Sequence, residues 1–282
     1  MRIALGQFGS ELGGVDTNLE QMRELTDEAN SRHADLIVFP ELATHGYSLG
    51  HLADSRSVRA KDPRLAELAR GHCDVLAGFH EDGGVRNYNS AAYLSDREVV
   101  HVHRKLYLPT YLAWEERKHH SPGQTMRAFD TAHGRTAVLI CNDAWQPALP
   151  WLAAQDGAEL LLIPTDSAAA LGAVAQEATV LDTIDYWQQL LRFIARMQQC
   201  WVVFVNRVGT EGAARFWGGS RVLDPTGEIV VEAPLWEPAL VTVDIDVAAA
   251  RRRRRELPLL AEARLGLVER ELLRLIAEGG DA

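Results

Sequence analysis

The sequence predicts an α/β fold in which two sheets lie between helices. Apolar runs of strand length alternate with amphipathic stretches of helix length along the 282 residues. Several strands follow one another as hairpins do, which favours two sheets over one purely parallel sheet. No linker, low-complexity tract or short repeat divides the chain. We therefore expect a single domain over 1–282, with 247–282 as a C-terminal helical extension used in contacts between subunits.

The first half of the chain alternates strands and helices. Thr17 and Glu20 have the spacing of a capping box, which predicts the start of the first helix there. Asp62 followed by Pro63 is typical of the start of a second helix. The run DLIVFPE is almost continuously apolar, as expected of a strand covered on both faces. The predicted elements of this half are the strands 2–8, 35–41, 74–80, 89–95 and 98–105 and the helices 17–32 and 62–70.

The second half repeats the alternation. Gly157 is placed to end a short helix, and the DPTG sequence at 224–227 is typical of a type I turn between strands. The predicted elements are the strands 135–141, 158–164, 201–206, 216–224, 229–233 and 239–246 and the helices 147–157, 180–199 and 259–279.

Composition excludes several classes of protein. Acidic residues outnumber basic ones by 39 to 29, so the net charge of −10 disfavours nucleic acids and anionic membranes as partners. No apolar stretch approaches the roughly 18 residues of a membrane span, and the N-terminus does not resemble a signal peptide. The three cysteines are an odd number and lie far apart in sequence. We expect a soluble cytoplasmic protein without a disulfide framework.

Three predicted strands end in a chemically capable residue. Glu41 follows DLIVFP, Lys105 follows EVVHVHR, and Cys141 follows RTAVLI. Ligand sites of α/β sheets lie beyond the carboxyl ends of strands, so the three side chains can meet. A carboxylate can take the proton of a thiol, and a lysine can stabilise an oxyanion. Together they would form an acyl-transfer site that uses no histidine.

Each of these residues also has a purely structural interpretation. Free cysteine is among the most buried residue types, so Cys141 could belong to the core, as we expect for Cys73 and Cys200. Glu41 could cap a loop, and Lys105 could be a solvated strand end. A scaffold without catalytic activity therefore remains an alternative at this point.

The segments that carry these residues resemble the signature blocks of a known family. FPEL (39–42), HRKLYLP (103–109) and LICNDAW (139–145) look like the three motifs of the nitrilase superfamily, the carbon–nitrogen hydrolases. The resemblance extends from Ile3 to about Asp246 in the order of the family. It implies a four-layer αββα sandwich, homodimers or higher oligomers, and no cofactor.

The resemblance also implies a role for each matched residue. Glu41 matches the general base, Lys105 the lysine that stabilises the oxyanion, and Cys141 the nucleophile. Glu116 matches a second glutamate of the family, with Glu115 as the adjacent competitor. Where the family usually has an aromatic residue, this chain has His120.

The implied reaction is hydrolysis of a small amide through a thioester, which gives an acid and ammonia or an amine. Nitrilases usually carry Trp and Glu after the nucleophile, whereas this chain has Asn142 and Asp143, which favours an amide over a nitrile. The segment 141–164 resembles the branch near the glutaminase domains of NAD synthetases, but the synthetase domain is absent from the sequence. Acyl transfer to an amine, ammonia supply to a partner enzyme and nitrile hydrolysis remain alternatives.

The expected substrate-binding residues lie in loops that follow the matched blocks. Asp143 could brace the turn after the nucleophile, and backbone N–H groups from Asn142 onward could join Lys105 in an oxyanion hole. Asp166 could select a cationic substrate, or it could cap a following helix. For Trp145 the alternative is plain packing. The substrate-binding candidates are Tyr47, Tyr111, Asn142, Trp145 and Asp166.

Two further patterns are interpreted without assigning a function. His101 and His103 share a strand face, but no third metal ligand is evident, so we expect no metal site. The arginine run at 251–255 could suggest nucleic-acid binding. In an acidic protein we expect it to form a solvated helix face or a subunit contact.

Overall fold

The computed structural model describes residues 1–51, 56–111, 114–171 and 177–279. Within these ranges, strands form two six-stranded sheets and one three-stranded sheet. The first sheet contains β1 (Arg2–Gln7), β2 (Leu36–Val38), β3 (Asp74–Asp82), β4 (Asn87–Ser95), β5 (Glu98–Arg104) and β15 (Ala239–Asp244), in the order β15-β1-β2-β3-β4-β5. The second contains β6 (Phe129–Thr131), β7 (Gly134–Val138), β8 (Leu160–Thr165), β10 (Trp201–Asn206), β13 (Arg221–Leu223) and β14 (Ile229–Glu232), in the order β14-β13-β10-β8-β7-β6. The small sheet contains β9 (Ala168–Leu171), β11 (Val208–Glu211) and β12 (Ala214–Trp217), in the order β11-β12-β9.

The helices lie mostly outside the two large sheets. They are α1 (Val15–Ser31), α2 (Pro63–Ala66), α3 (Ala148–Gln155), α4 (Glu177–Gln198), α5 (Ala248–Glu256) and α6 (Leu265–Ala277). None of the described helices is both long enough and apolar enough to cross a bilayer.

Three apolar clusters lie between four layers, which are a helical layer, the first sheet, the second sheet and another helical layer. Met22 of α1 packs in one cluster with residues of the first sheet, and Leu191 of α4 packs in another with residues of the second sheet. Between the sheets, Leu76 of β3 shares a third cluster with Leu162 of β8 and Val203 of β10. The architecture is therefore the αββα sandwich, and the predicted α/β fold class is confirmed.

The run DLIVFPE is buried on both faces, as its composition predicts. Leu36 and Val38 face the second sheet, whereas Ile37 and Phe39 face the layer of α1. The paired strand is shorter than predicted and ends at Val38. Phe39 still donates a backbone hydrogen bond to Leu76, after which the chain turns away from the sheet.

The capping box predicted at Thr17 and Glu20 is wrong. α1 begins at Val15, with Gly14 as the N-cap and no side-chain cap. The buried side chain of Asn18 bonds the backbone N–H and C=O of Glu11, both at 2.8 Å. This contact fixes the preceding loop against the helix and allows the helix to start two residues earlier. The cap predicted at Asp62 is confirmed, because its carboxylate accepts from the N–H of Arg64 at 2.9 Å.

Two other predicted elements differ in the structure, one by division and one by a later start. The segment 216–224 forms β12 and β13, separated by Gly218 and Gly219, which both adopt positive φ. The C-terminal helix predicted over 259–279 begins only at Leu265. The carbonyl of Leu260 accepts a hydrogen bond from Gln155 of α3, which holds the intervening turn against the domain. Residues 280–282 of the predicted extension lie outside the described residues.

Strand direction brings the candidate residues to one end of the molecule. β1, β2 and β3 are parallel, and β5 runs the same way because both β3 and β5 pair antiparallel with β4. In the second sheet, β7, β8 and β10 are also parallel. The carboxyl ends of β2 and β5 therefore share one edge of the first sheet, and those of β7 and β8 share one edge of the second.

Candidate active site

The residues predicted at the strand ends are brought together. Glu41 lies three residues after β2, Lys105 directly follows β5, and Cys141 lies three residues after β7. The turn that carries Glu41 is tight, because the N–H groups of His45 and Gly46 both donate to the carbonyl of Leu42. The Glu41 carboxylate and the Lys105 ammonium form an ion pair of 2.6 Å in which both side chains are fully buried.

Lys105 bridges two carboxylates. Its Nζ atom lies 2.6 Å from Oε1 of Glu41 and 2.6 Å from Oε1 of Glu116. Burial alone would lower the pKa of Lys105, but Glu116 and Glu41 reverse this effect and raise it well above its usual range. The two carboxylates therefore favour the ammonium form of Lys105 and fix its position.

Glu116, not Glu115, is the second carboxylate of this cluster. Tyr47 donates its hydroxyl to Oε1 of Glu116 at 2.6 Å. Burial raises the pKa of Glu116 to about 7, while Lys105 opposes this shift. Glu115 is exposed and pairs with Lys118 on the surface. Of the two glutamates that the sequence left as candidates, Glu116 therefore lies in the cluster and Glu115 lies on the surface.

Both carboxylate oxygens of Glu41 are held. The amide of Asn89 donates to Oε1 at 2.7 Å, and the backbone N–H of Asp166 donates to Oε2 at 2.9 Å. Asn89 lies on β4 and is buried. Sequence reasoning missed it, because an asparagine near the start of a predicted strand looks like an ordinary strand boundary. The strand also carries Asn87, Ser90 and Ser95, so one more polar residue there gave no distinct signal.

Cys141 begins a one-turn 3₁₀ helix, Cys141–Trp145. Its φ angle is +45°, a left-handed conformation that costs a non-glycine residue about 1–2 kcal/mol. Such strain persists only where neighbouring contacts impose it. The contacts that impose it here come from Asp143.

Asp143 ties this turn to the segment that carries Lys105. Its Oδ1 atom accepts from the N–H groups of Leu106 and Tyr107, both at 2.9 Å. Its Oδ2 atom accepts from Nε2 of His103 at 2.9 Å and from the N–H of Ile140 at 3.2 Å. The expectation that Asp143 braces the turn is confirmed, and the carboxylate fixes the position of Cys141 relative to Lys105.

The thiol of Cys141 lies among charged groups. Burial raises its pKa well above the usual range, Glu41 adds to the shift, and Lys105 opposes it. The resting state is consequently the thiol, not the thiolate. A base has to take its proton during attack, and Glu41 is a carboxylate in the same cluster.

Tyr111, Asn142 and Trp145 lie around the nucleophile turn. The hydroxyl of Tyr111 is 3.4 Å from Oδ1 of Asn142, whose amide donates to the carbonyl of Tyr107 at 3.1 Å. Tyr111 and Trp145 are partly exposed, at 56% and 36%. Trp145 also packs edge-on against Trp187, so the packing interpretation holds for part of its surface.

Asp166 does not cap a helix, and that alternative is wrong. The residue follows β8 and precedes β9, and its carboxyl group is buried. Its backbone contact with Glu41 places it directly beside the Lys105 cluster.

His120 is the end member of a row of three buried histidines. Its Nε2 atom lies 2.9 Å from Nδ1 of His80, and the ring of His80 packs edge-on against that of His45. Burial lowers the pKa of His45 and His80 to about 4. Three neutral imidazoles thus support the Glu116 segment, in which the backbone N–H of His120 donates to the carbonyl of Glu116 at 2.8 Å.

The other residues singled out in the sequence pack or pair with neighbouring side chains. Among the described residues, no group of three or more His, Cys, Asp or Glu side chains is arranged to hold a metal ion. His101 stacks on Phe129. Cys73 and Cys200 are buried, as expected. The arginine run forms most of α5, and its residues pair with acids that include Glu159 and Asp246.

A sequence profile of the carbon–nitrogen hydrolase family matches residues 2–255. The chain belongs to the carbon–nitrogen hydrolase family. It is 31% identical to the glutamine-dependent NAD(+) synthetase of Thermotoga maritima over 252 residues, which are 88% of this chain and 42% of the relative. It is 28% identical to the N-carbamoylputrescine amidase of Arabidopsis thaliana over 258 residues, 85% of each protein. The chain therefore spans somewhat less than half the length of the NAD synthetase and most of the length of the amidase.

A solved relative shares the fold and itself carries a reactive cysteine. The amidase of Nesterenkonia sp. AN1 is 25% identical, with a TM-score of 0.78 over 96% of both chains. That structure, of a mutant, shows covalent addition of the acetamide moiety of fluoroacetamide at the active-site cysteine. The membership expected from FPEL, HRKLYLP and LICNDAW is thus confirmed.

Proposed function

We propose that this carbon–nitrogen hydrolase cleaves a small linear amide through a thioester on Cys141, giving an acid and ammonia or an amine. The observation that carries the proposal is the buried Lys105 ammonium, 2.6 Å from both Glu41 and Glu116 and tied through Asp143 to the Cys141 turn. Such a cluster is costly to bury and has the components of acyl transfer.

The first half of the reaction forms the acyl-enzyme. Glu41 accepts the proton of Cys141 as the sulfur attacks the amide carbon. Lys105 and a backbone N–H of the turn that begins at Asn142 stabilise the oxyanion. The C–N bond then breaks, and Glu41 returns the proton to the leaving nitrogen. Because burial raises the pKa of Cys141, the attack needs a base to take the thiol proton.

The second half releases the acid. Glu41 takes a proton from water as the oxygen adds to the thioester carbon. The C–S bond then breaks, and Glu41 returns the proton to the sulfur, which regenerates the thiol. Glu116 positions Lys105 throughout, because its Oε1 atom accepts from both Lys105 and Tyr47. Tyr111, Asn142, Trp145 and Asp166 supply further contacts to the substrate.

The test is product analysis with a panel of short amides. Purified protein should release acid and ammonia in equal amounts, and Cys141→Ala should release neither. The matched control is Cys73→Ala, since Cys73 is a buried cysteine far in sequence from the cluster. If Cys141→Ala hydrolyses the same amides at the rate of the Cys73→Ala control, the proposal is wrong.

A second candidate is transfer of the nitrogen or acyl group to another molecule. It is favoured by the similarity to glutamine-dependent NAD(+) synthetases, of which this chain spans less than half. Glutamine hydrolysis that accelerates with an added synthetase partner would support ammonia supply. Formation of a hydroxamate with added hydroxylamine, in place of acid, would support acyl transfer.

Association between copies through the segment 247–282 also remains a proposal. Its helix α6 presents leucine and isoleucine side chains to solvent, among them Leu272, Leu273 and Ile276, each more than half exposed. Sedimentation of the wild type and of Leu273→Glu would test whether this face contacts another copy.

A further inference from the structure

The feature that the proposed mechanism leaves unexplained is the side chain of Asp166. Its carboxyl group is 1% exposed, yet neither oxygen accepts a hydrogen bond from the part of the chain that the structure describes. A buried carboxylate without hydrogen bonds costs several kcal/mol. Such a group calls for a physical explanation, and a bound ligand that supplies the missing donors is one.

Asp166 cannot readily turn away from this position. The neighbouring N–H of Ser167 donates to the side chain of Asn206 at 2.9 Å, and the Asn206 amide donates back to the carbonyl of Ser167 at 3.3 Å. The N–H of Asp166 itself holds Glu41. The loop is thus clamped on both sides of the carboxyl group, which lies next to the proposed general base.

Arg207 is a partial partner at most. Its NH1 atom lies 3.7 Å from Oδ2 of Asp166 but 2.7 Å from Oε2 of Glu211. Its NH2 atom donates to the carbonyl of Ser10 at 2.5 Å, and its guanidinium lies over the ring of Phe216. The guanidinium is therefore positioned by Glu211 and not by Asp166.

The buried ion-pair network around Glu41 contains too few cations. Glu116, Lys105 and Glu41 form one part, and Asp166, Arg207 and Glu211 form the other. The backbone N–H of Asp166, which donates to Glu41, joins the two parts. This network has four carboxylates and two cations, and all six side chains are at most 6% exposed. A cation from outside the protein would lower the electrostatic cost of the network.

We propose that Asp166 binds a protonated amine of the substrate, so that the enzyme prefers amides that carry an ammonium group a few carbons from the carbonyl. An ammonium offers three donors to the two oxygens that lack hydrogen bonds. This inference rests on the proposed amide hydrolysis at Cys141 and adds the class of substrate to it.

Binding should also depend on pH. Burial raises the pKa of Asp166 well above its usual range; Arg207 opposes this shift, Glu41 and Glu211 add to it, and Lys105 again opposes it. An ammonium ion next to the carboxyl group favours its ionised form and releases the proton. The KM of ammonium amides should therefore fall as the pH rises, more steeply than the KM of neutral amides.

The first experiment compares matched amides. Glycinamide, β-alaninamide, 4-aminobutanamide and 5-aminopentanamide are each paired with the amide in which methyl replaces ammonium. Wild type should prefer one ammonium amide by about tenfold or more in kcat/KM, since a desolvated charge contact is worth at least that much. Asp166→Asn should lose this preference, so that each ammonium amide and its methyl counterpart react with similar kcat/KM. Asp130→Asn removes a charge from an exposed side chain and should retain the preference.

The second experiment does not depend on turnover. Butylammonium should slow the alkylation of Cys141 by iodoacetamide in wild type, whereas butanol should not, and Asp166→Asn should lose this protection. If Asp166→Asn does not fold, the wild-type comparison of butylammonium with butanol still decides the question.

The outcomes separate the inference from the proposed function. Hydrolysis of neutral and ammonium amides at equal rates, with no protection by butylammonium, overturns the ammonium site and leaves amide hydrolysis intact. Protection that requires Asp166, without turnover of any amide, supports the ammonium site and counts against amide hydrolysis. A uniform loss of both substrate classes in Asp166→Asn would indicate a structural role and contradict the inference.

Discussion

Replacing Asp143 by alanine removes one carboxylate that accepts four hydrogen bonds from buried or partly buried donors. Three come from the backbone N–H groups of Leu106, Tyr107 and Ile140, and one comes from His103. A buried donor left without a partner costs about 1–3 kcal/mol. We therefore expect Asp143→Ala to lower the free energy of unfolding by about 4 kcal/mol or more.

Asp143→Asn should lose fewer of these hydrogen bonds than Asp143→Ala. Its amide oxygen can keep the contacts with Leu106 and Tyr107, while its NH₂ group faces His103, whose Nε2 atom accepts in the other tautomer. In that arrangement the N–H of Ile140 is the donor that loses its acceptor. We expect a loss of about 1–3 kcal/mol, clearly smaller than for alanine.

The assays are urea unfolding for stability and iodoacetamide labelling for the Cys141 turn. Asp130→Asn, on an exposed side chain, is the control for loss of a negative charge. If Asp143→Ala is destabilised by less than about 1 kcal/mol, or no more than Asp143→Asn, the hydrogen-bond reasoning is refuted. Since Asp143 holds the strained turn, both variants should also lower kcat even where they remain folded.

Three other perturbations test separate parts of the cluster. Lys105→Met leaves Glu41 and Glu116 buried without their cation, so urea unfolding should show a loss of about 3–5 kcal/mol and amide hydrolysis should be abolished; wild-type stability would contradict this. Glu116→Gln should remove a decline of kcat below about pH 7, since the pKa of Glu116 is raised to about 7 by burial; a pH profile unchanged from wild type would count against it. Burial lowers the pKa of His45 and His80 to about 4, whereas the pKa of histidine in the unfolded chain is about 6.5. Between these two pH values the unfolded chain binds more protons than the folded protein. The free energy of unfolding should therefore fall as the pH drops from about 6.5 to 4. His120→Phe, which removes a third buried imidazole with a lowered pKa, should flatten that decline in urea unfolding measured across pH, and an equally steep decline would refute the account.

The three central residues of the site could be predicted because each one lies just after the end of a strand. Glu41, Lys105 and Cys141 each follow an apolar run, and parallel strands bring such ends together. Asn89 could not be identified in this way, because its function depends on a partner 48 positions away in the chain. The four hydrogen bonds to the Asp143 carboxylate and the lack of hydrogen bonds to the Asp166 carboxyl group likewise depend on groups that meet only in the folded protein.

The errors in the predicted elements have the same origin. Thr17 and Glu20 have the local spacing of a cap, but the buried contact of Asn18 with Glu11 overrides it. The small sheet of β9, β11 and β12 consists of strands of four residues each, too short for a periodic pattern to be read. The α/β layers, by contrast, were predictable, since long apolar runs require cover on both faces.

The most direct test of the proposed hydrolysis is intact-mass spectrometry of the protein a few milliseconds to seconds after mixing with short amides, for wild type and Cys141→Ala. We predict a transient mass increase equal to the acyl group on wild type, absent from Cys141→Ala, and a peptide map that places it on Cys141. Turnover of an amide without an acyl adduct at Cys141, or an equal adduct on Cys141→Ala, would contradict a thioester mechanism.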